Sequence, residues 1–259
     1  MGKEFEIRRE VELPATPEEV WEAVATGPGT ASWLFPESTD PDDIVESDRP
    51  RKFAVRTEGE GGAFNALEFV IEARDGGSAV LRYVHSGVLD DDGWDAQYDA
   101  ASTHTDFYLH TLAQYLEHFS PRTATYVGGG PDGINGPEQS TTPDAFETLK
   151  RTLGASAPGD RVTVPNGGGE GIVDYVNDKF LGIRTDTALY RFFGRNAWGL
   201  PVGASVHHFG DGVDPDAAGD AWRAWLAVVP EHVVHPGLLG GWWFSRPPAP
   251  RGTPDEVAR

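Results

Sequence analysis

Asn65-Ala-Leu-Glu-Phe-Val-Ile-Glu-Ala-Arg74 is followed by Asp75-Gly-Gly77 and then by Ser78-Ala-Val-Leu-Arg-Tyr-Val-His-Ser86. Apolar and polar residues alternate in the first segment, which is typical of a strand with one solvated side. Because glycine tolerates the positive φ of tight hairpin turns, the two segments are predicted to form a β-hairpin. Its return strand places Leu81, Tyr83 and His85 on one face.

A long amphipathic helix is predicted after the hairpin. No proline or glycine occurs from Trp94 to Phe119, and apolar or aromatic side chains recur there every three or four residues. Pro121 ends the helix. A hairpin is too narrow to cover a helix of this length, so we expect a wider, curved sheet.

Composition limits the class of function. The chain has 259 residues, 39% of them hydrophobic, a formal net charge of −20 and no cysteine. The acidity argues against sequence-independent nucleic-acid binding and against docking on anionic membranes, and the absence of thiols excludes disulfides and thiolate sites. No segment approaches the roughly twenty apolar residues of a membrane span, so we expect a soluble, cytoplasmic protein. The low lysine content beside abundant arginine resembles the usage of a high-GC bacterium.

The first hundred residues supply the remaining elements of this half. Glu4 to Leu13 alternates like a strand, and the segment from Pro14 to Ala25 has a capping-box pattern in which Thr16 precedes Glu19 by three residues. A second short helix is predicted at 30–33 and a strand at 51–57. The stretch 35–50 is acidic and shows no clear alternation.

These segments together carry a family resemblance. The opening strand and helix, the hairpin and the terminal helix resemble an SRPBCC (START-like) domain, most of all the branch named after the activator of the heat-shock-protein-90 ATPase. The residues concerned are Glu12-Leu-Pro-Ala-Thr-Pro-Glu-Glu-Val-Trp-Glu-Ala-Val24, Trp33, Arg49-Pro-Arg-Lys-Phe53, Leu81-Arg-Tyr-Val-His-Ser-Gly87 and Leu112-Ala-Gln-Tyr-Leu116. Over residues 4–120 the resemblance implies an α+β helix-grip fold, in which a curved antiparallel sheet encloses a long C-terminal helix and a ligand cavity lies between them.

Two features depart from the family pattern. The hairpin that relatives place between the short helix and the strand at Phe53 is replaced by a short acidic segment. Near the start of the long helix, His104-Thr105 stands where relatives carry Gly-Trp. Because threonine is much smaller than an indole, the resemblance does not transfer a particular ligand.

The rest of the chain is predicted to form three further regions. Residues 1–124 are interpreted as the START-like domain, 125–142 as a Gly- and Pro-rich linker, 143–235 as a second α+β region, and 236–259 as a Pro-rich tail. In the second region, strands are followed by Val206-His-His208, an acidic loop and a helix. That order echoes the hairpin and long helix, so we expect a degenerate second copy of the fold.

No motif indicates a metal, a cofactor or a catalytic centre. The eight histidines show no metal-binding spacing, and His207 and His208 point to opposite faces of a strand. Gly167-Gly-Gly-Glu-Gly171 lacks the Lys-Ser/Thr of a phosphate-binding loop, and no Gly-x-Ser-x-Gly elbow occurs. We therefore predict no cofactor, no metal and no assigned catalysis.

The functional prediction rests on the aromatic side chains, because apolar pockets with a few polar groups are the usual sites for small molecules. The first hypothesis is a protein that binds a hydrophobic or aromatic small molecule between sheet and helix. The alternatives are a chaperone-associated protein, as the branch name implies, and a cyclase- or hydrolase-like enzyme that uses His85 or His104. The predicted ligand-binding residues are Trp33, Phe53, Phe69, Tyr83, His85, His104, Phe107 and Tyr108.

Overall fold

The computed structural model describes residues 2–37, 39–89, 91–128 and 133–229, and these form two antiparallel sheets with five α-helices. The predicted Pro-rich tail, 236–259, lies outside the described residues. The strands of the first half are β1 (Lys3–Leu13), β2 (Ile44–Asp48), β3 (Lys52–Glu58), β4 (Phe64–Arg74) and β5 (Ser78–Leu89). Its helices are α1 (Pro17–Ala25), α2 (Gly27–Thr30) and α3 (Trp94–His118).

The first sheet has the strand order β1-β5-β4-β3-β2, with every neighbouring pair antiparallel. The predicted hairpin is β4–β5, which is continuous in register from Arg74↔Ser78 to Asn65↔Gly87. Helices α1 and α3 both pack on one face of this sheet, its inner face. This is the helix-grip arrangement, and the α+β fold class is confirmed.

A capping box fixes the start of α1 as expected. The Thr16 side chain accepts a hydrogen bond from the Glu19 amide, and the Glu19 carboxylate accepts one from the Thr16 amide. This capping box satisfies backbone donors that the first helical turn leaves free. The second short helix begins earlier than predicted, at Gly27, because the Thr26 hydroxyl caps it by accepting from Gly29.

The acidic segment before Phe53 contains a strand that the sequence does not predict. Strand β2 pairs with β3 at the edge of the sheet, and all five of its residues are exposed. Neither of its faces is buried, so its sequence needs no alternation of apolar and polar residues. In the described residues, the segment before the strand at Phe53 therefore supplies one strand, which forms a hairpin with β3.

The second half repeats the strand order of the first. Its strands are β6 (Thr125–Val127), β7 (Ile134–Asn135), β8 (Arg161–Val164), β9 (Gly169–Val176), β10 (Phe180–Arg184), β11 (Ala188–Phe193) and β12 (Gly203–His208), and its helices are α4 (Ala145–Leu153) and α5 (Pro215–Val228). The second sheet runs β6-β12-β11-β10-β9-β8, with β7 also paired to β12. As in the first half, the last strand returns to pair beside the first and a helix follows it.

The predicted linker contains structure. Strands β6 and β7 lie within 125–142, and each pairs antiparallel with β12. Together they stand where a full first strand lies in the other half. Strands of two and three residues give too short a pattern to be recognised among glycines and prolines.

Helix α3 is buried on two sides. Leu109, Leu112 and Leu116 pack on the inner face of the first sheet. On its other side, Phe107 is fully buried against Phe180 and Phe193, which lie on the outer face of the second sheet. The two halves therefore share this helix.

Charged groups are buried where α3 meets the second sheet. Both oxygens of Asp174 accept from Nη1 of Arg191 at 3.0 Å, and His110 Nε2 on α3 lies 3.2 Å from Asp174. The side chains of Arg191 and Asp174 are only 2% and 5% exposed. Burial alone would raise the pKa of Asp174, but Arg191 and His110 hold it below its usual value. Unpaired burial of either charge would be costly, and the contact from His110 links this ion pair of the second sheet to α3.

A second group of polar contacts lies near the start of α3. One oxygen of Asp99 accepts from Lys179 Nζ at 2.7 Å and from Trp198 Nε1 at 2.9 Å. Further along, Arg184 Nε donates to Gln114 at 3.2 Å.

In the part of the chain that the structure describes, no helix is both long and apolar enough to cross a membrane.

Candidate functional site

An aromatic row crosses the inner face of the first sheet. Phe53, Phe69 and Tyr83 occupy directly opposed positions on β3, β4 and β5. Their ring centroids lie 6.4 Å apart between the two phenylalanines and 5.3 Å apart between Phe69 and Tyr83. All three are less than 10% exposed, and burial raises the pKa of the Tyr83 phenol. The middle of the sheet–helix space is therefore filled by the protein's own rings.

Trp33 closes the same core from the α2 side. It is 3% exposed, and its indole Nε1 donates a hydrogen bond to the carbonyl oxygen of Ala23 at 2.9 Å. This bond ties the segment after α2 to the end of α1 and holds the ring in place. Trp33 thus forms a fixed wall of the site.

His85 provides a polar group next to the aromatic row, two residues after Tyr83 on β5. Its Nε2 lies 2.7 Å from Oδ1 of Asn65, and its ring meets Phe5 edge-on with centroids 4.9 Å apart. The residue is 4% exposed, and burial lowers its pKa to about 4. The imidazole is therefore neutral at neutral pH, because burial disfavours its charged form.

Burial of the inner face decreases towards one end of β3 and β4. On β3 it falls from Phe53, 5% exposed, through half-buried Val55 to exposed Thr57. On β4, Leu67 and Asn65 are half-buried although they share a face with buried Phe69. We call Val55, Thr57, Leu67 and Asn65 the open end of the inner face. His85 lies directly beside it, since Leu67 pairs with His85.

The predicted positions of His104 and Phe107 are corrected by the structure. Both lie on the side of α3 that faces the second sheet, not the first. The His104 ring is 4.8 Å from Phe180 and 5.4 Å from Trp198, and Phe107 is 4.8 Å from Phe180, centroid to centroid. Both residues were expected to line the ligand site between the first sheet and α3, whereas α3 buries two faces.

His104 is neutral within this aromatic cluster. Its Nδ1 donates to the carbonyl oxygen of Ala100 at 2.8 Å, so Nε2 carries the lone pair. Burial lowers its pKa to about 4. Tyr108 connects the two sides of α3, because its ring lies 6.5 Å from Phe35 and 6.3 Å from Phe193.

Asn65, Leu67 and Val55 are the site residues that sequence reasoning missed. The signal was present for Asn65 and Leu67, since strand alternation places both on the face that carries Phe69. Asn65 is polar at the end of its strand and resembles a turn residue, so only the structure shows its bond to His85.

Elsewhere in the described chain there is one open groove to consider as a binding site. An open groove of about 490 Å³ lies between α1 and the residues after α3, bordered by Glu18, Glu22, Tyr115 and Pro121. It lies apart from the aromatic row and has acidic groups on one wall. Within the described ranges, no three His, Asp or Glu side chains are placed to hold a metal ion.

Comparison with known proteins gives similarity to solved structures only. No protein-family model matches the chain, and no curated protein matches it. The Aha1 dimer from Colwellia psychrerythraea is 16% identical over 44% of this chain and 96% of that one, with a TM-score of 0.35. DynU16, from the dynemicin biosynthetic locus, is 17% identical over 86% of this chain and 96% of its own, with a TM-score of 0.35. The di-domain ARO/CYC BexL, from the BE-7585A biosynthetic pathway, is 12% identical over 89% of this chain and 100% of its own, with a TM-score of 0.33.

The helix-grip architecture rests on the strand order and the enclosed helix described above. At these identities and TM-scores, the similarity carries no argument about ligand, reaction or partner.

Proposed function

We propose that the first half binds a hydrophobic or aromatic small molecule at the open end of the inner face. The supporting observation is the loss of burial from Phe53 to Val55 to Thr57 on a face that elsewhere forms the core. Apolar side chains of a core face that remain half exposed mark a place where another apolar group can be buried.

The energetic scale suits a ligand of modest size. Fully burying a valine or leucine side chain stabilises by about 1.5–3 kcal/mol relative to leaving it exposed. Val55 and Leu67 are half-buried, so a ligand that covers both gains part of that amount at each. The buried row of Phe53, Phe69 and Tyr83 gives this surface a rigid floor, which reduces the entropy lost on binding.

The test uses an uncharged dye and two tryptophan substitutions on one strand. Nile red should bind the wild-type protein saturably, with an increase in fluorescence. Leu67→Trp fills the open end and should weaken binding at least about tenfold, which corresponds to about 1.4 kcal/mol. Ala66→Trp is the matched control, because its side chain lies on the opposite face of β4.

Two results would overturn the proposal. One is the absence of saturable dye binding to the wild-type protein. The other is equal loss of binding in both variants when their thermal unfolding midpoints are the same, because the open end would then not be the binding surface.

The two alternative functions remain predictions. For an enzyme, His85 is the only one of the two proposed histidines on the inner face, and a pKa of about 4 leaves it a weak acid–base catalyst near neutral pH. The chaperone-associated role rests on the family resemblance, and a pull-down with an ATPase assay of the chaperone tests it. No contact within the described residues favours either alternative over binding.

A further inference from the structure

The amide of Asn65 is positioned at the boundary between the buried and the open parts of the inner face. Its Oδ1 lies 2.7 Å from Nε2 of His85. An amide oxygen can only accept, so Nε2 carries the proton of this bond. The nitrogen of the Asn65 amide, with its two N–H donors, takes no part in this bond.

That nitrogen has no acceptor in the described part of the chain. The hydrogen bond to His85 is the side-chain bond that Asn65 makes there, and its neighbour across the sheet, Thr57, turns its hydroxyl to Oδ2 of Asp43 at 2.8 Å. Asn65 is half-buried, so its N–H groups are solvated in the free protein. A wholly apolar ligand that covered them would lose those bonds without replacement, whereas a ligand with an acceptor restores them.

Charge restricts which acceptor is suitable. His85 is neutral at neutral pH because burial holds its pKa at about 4. Thr57, the cross-strand partner of Asn65, donates to the Asp43 carboxylate, which repels an anion, and the whole chain carries a formal charge of −20. A neutral acceptor such as a carbonyl or ether oxygen is therefore favoured over a carboxylate or phosphate.

We propose that Asn65 is the residue that selects the ligand: it donates a hydrogen bond to an acceptor oxygen on an uncharged, otherwise apolar molecule that lies on Val55 and Leu67. This inference rests on the proposed binding function and adds the class of ligand and the residue that recognises it. His85 acts as a positioning residue, since its Nε2–H fixes the orientation of the amide.

A matched pair of probes tests the inference on the full-length chain. Fluorene and 9-fluorenone have the same ring system and differ in one carbonyl oxygen. Wild-type protein should bind fluorenone about two- to tenfold more tightly than fluorene, as one additional neutral hydrogen bond allows. Asn65→Asp keeps an oxygen for His85 but lacks the donor, so it should lose this preference while its fluorene affinity stays within about twofold.

Two further variants separate the sources of selectivity. Asn65→Leu should also bind the two probes equally, which guards against an effect of the charge introduced by Asn65→Asp. Thr57→Val should keep the preference, because the donor at position 65 is intact.

The outcomes distinguish a failure of this inference from a failure of the proposed function. If wild-type protein binds both probes saturably and equally, or if both Asn65 variants keep the preference for fluorenone, the role of Asn65 is overturned while ligand binding stands. If neither probe binds saturably, the proposed function fails and this inference fails with it.

Discussion

The imidazole of His104 lies parallel to the ring of Phe193, with ring planes 13° apart and centroids 5.9 Å apart. The first residue belongs to the long helix of the first half and the second to the central strand β11 of the second half. Burial lowers the pKa of this histidine, which favours its neutral form at neutral pH. We therefore expect the contact between the halves to weaken as the pH falls.

The first prediction concerns acid stability. His104 has a pKa of about 4 in the folded chain against 6.5 for an ordinary imidazole, so the unfolded chain binds the proton more readily. Its contribution to stability is full above about pH 6.5 and decreases towards pH 4, by up to about 1.4 kcal/mol per pH unit. Urea denaturation from pH 7.5 to pH 4.5 should show this slope, and His104→Phe should reduce it.

His85 and His207 are also buried with lowered pKa values, about 4 and about 3, so part of the slope remains in the variant. Burial also lowers the pKa of His118, whose side chain is 28% exposed, and His118→Phe should reduce the slope less than His104→Phe does. An identical pH dependence in wild type and His104→Phe would contradict the prediction.

A second prediction concerns the buried ion pair of Arg191 and Asp174. Arg191→Met leaves the carboxylate buried without its main partner and should cost about 3–5 kcal/mol. The double change with Asp174→Leu removes both charges and should cost much less than the sum of the two single changes. A double-mutant cycle by urea denaturation measures the coupling, and additive single effects would show that the pair does not act as a unit.

Gly182 gives a third prediction, because it makes room for that ion pair. A methyl group at this position on β10 would overlap the carboxylate of Asp174 and the guanidinium of Arg191. Gly182→Ala should therefore destabilise the chain by about 1–3 kcal/mol, as overpacking of a close-packed site does. Gly27→Ala is the control, since a methyl group there meets no atom within 4 Å, and its effect should stay within about 0.5 kcal/mol. Equal effects of the two changes in thermal or urea denaturation would contradict this explanation.

The fourth prediction concerns a fragment that ends at residue 124. Removing the second half exposes Phe107, which is fully buried in the intact chain, together with the half-buried ring of His104. The loss of about 1.5–3 kcal/mol from one phenylalanine alone should leave fragment 1–124 less stable and prone to self-association. Size-exclusion chromatography with thermal unfolding measures both, and Phe107→Gln should improve the solubility of the fragment. A monomeric fragment as stable as the same half in the full chain would show that the second half does not support α3.

The regular elements could be predicted because their patterns are complete in one segment. The β4–β5 hairpin has clean alternation and a glycine turn. Strand β2 could not be found, since all of its residues are exposed and leave no pattern. Strands β6 and β7 are too short to show one.

The candidate site was predicted in part for a related reason. The residues of the aromatic row share a face of a half-exposed strand, so alternation identifies them. His104 and Phe107 belong to a helix that is buried on two sides, and a single apolar stripe cannot describe such a helix. Fully buried Thr111, which donates to the Phe107 carbonyl at 2.9 Å, has the polarity of a surface residue. Its burial becomes evident only from the structure.

Helix α3 also limits how the proposed binding surface could be altered by evolution or design. Its buried residues pack on the first sheet, the second sheet or both, so a change that reshapes the proposed surface from the helix side also disturbs the fit of the halves. Val55, Leu67 and Asn65 have no such second obligation, because in the described residues none of them belongs to the cluster that joins α3 to the second sheet. New ligand preferences are therefore most readily acquired through β3 and β4, while the helix stays nearly constant.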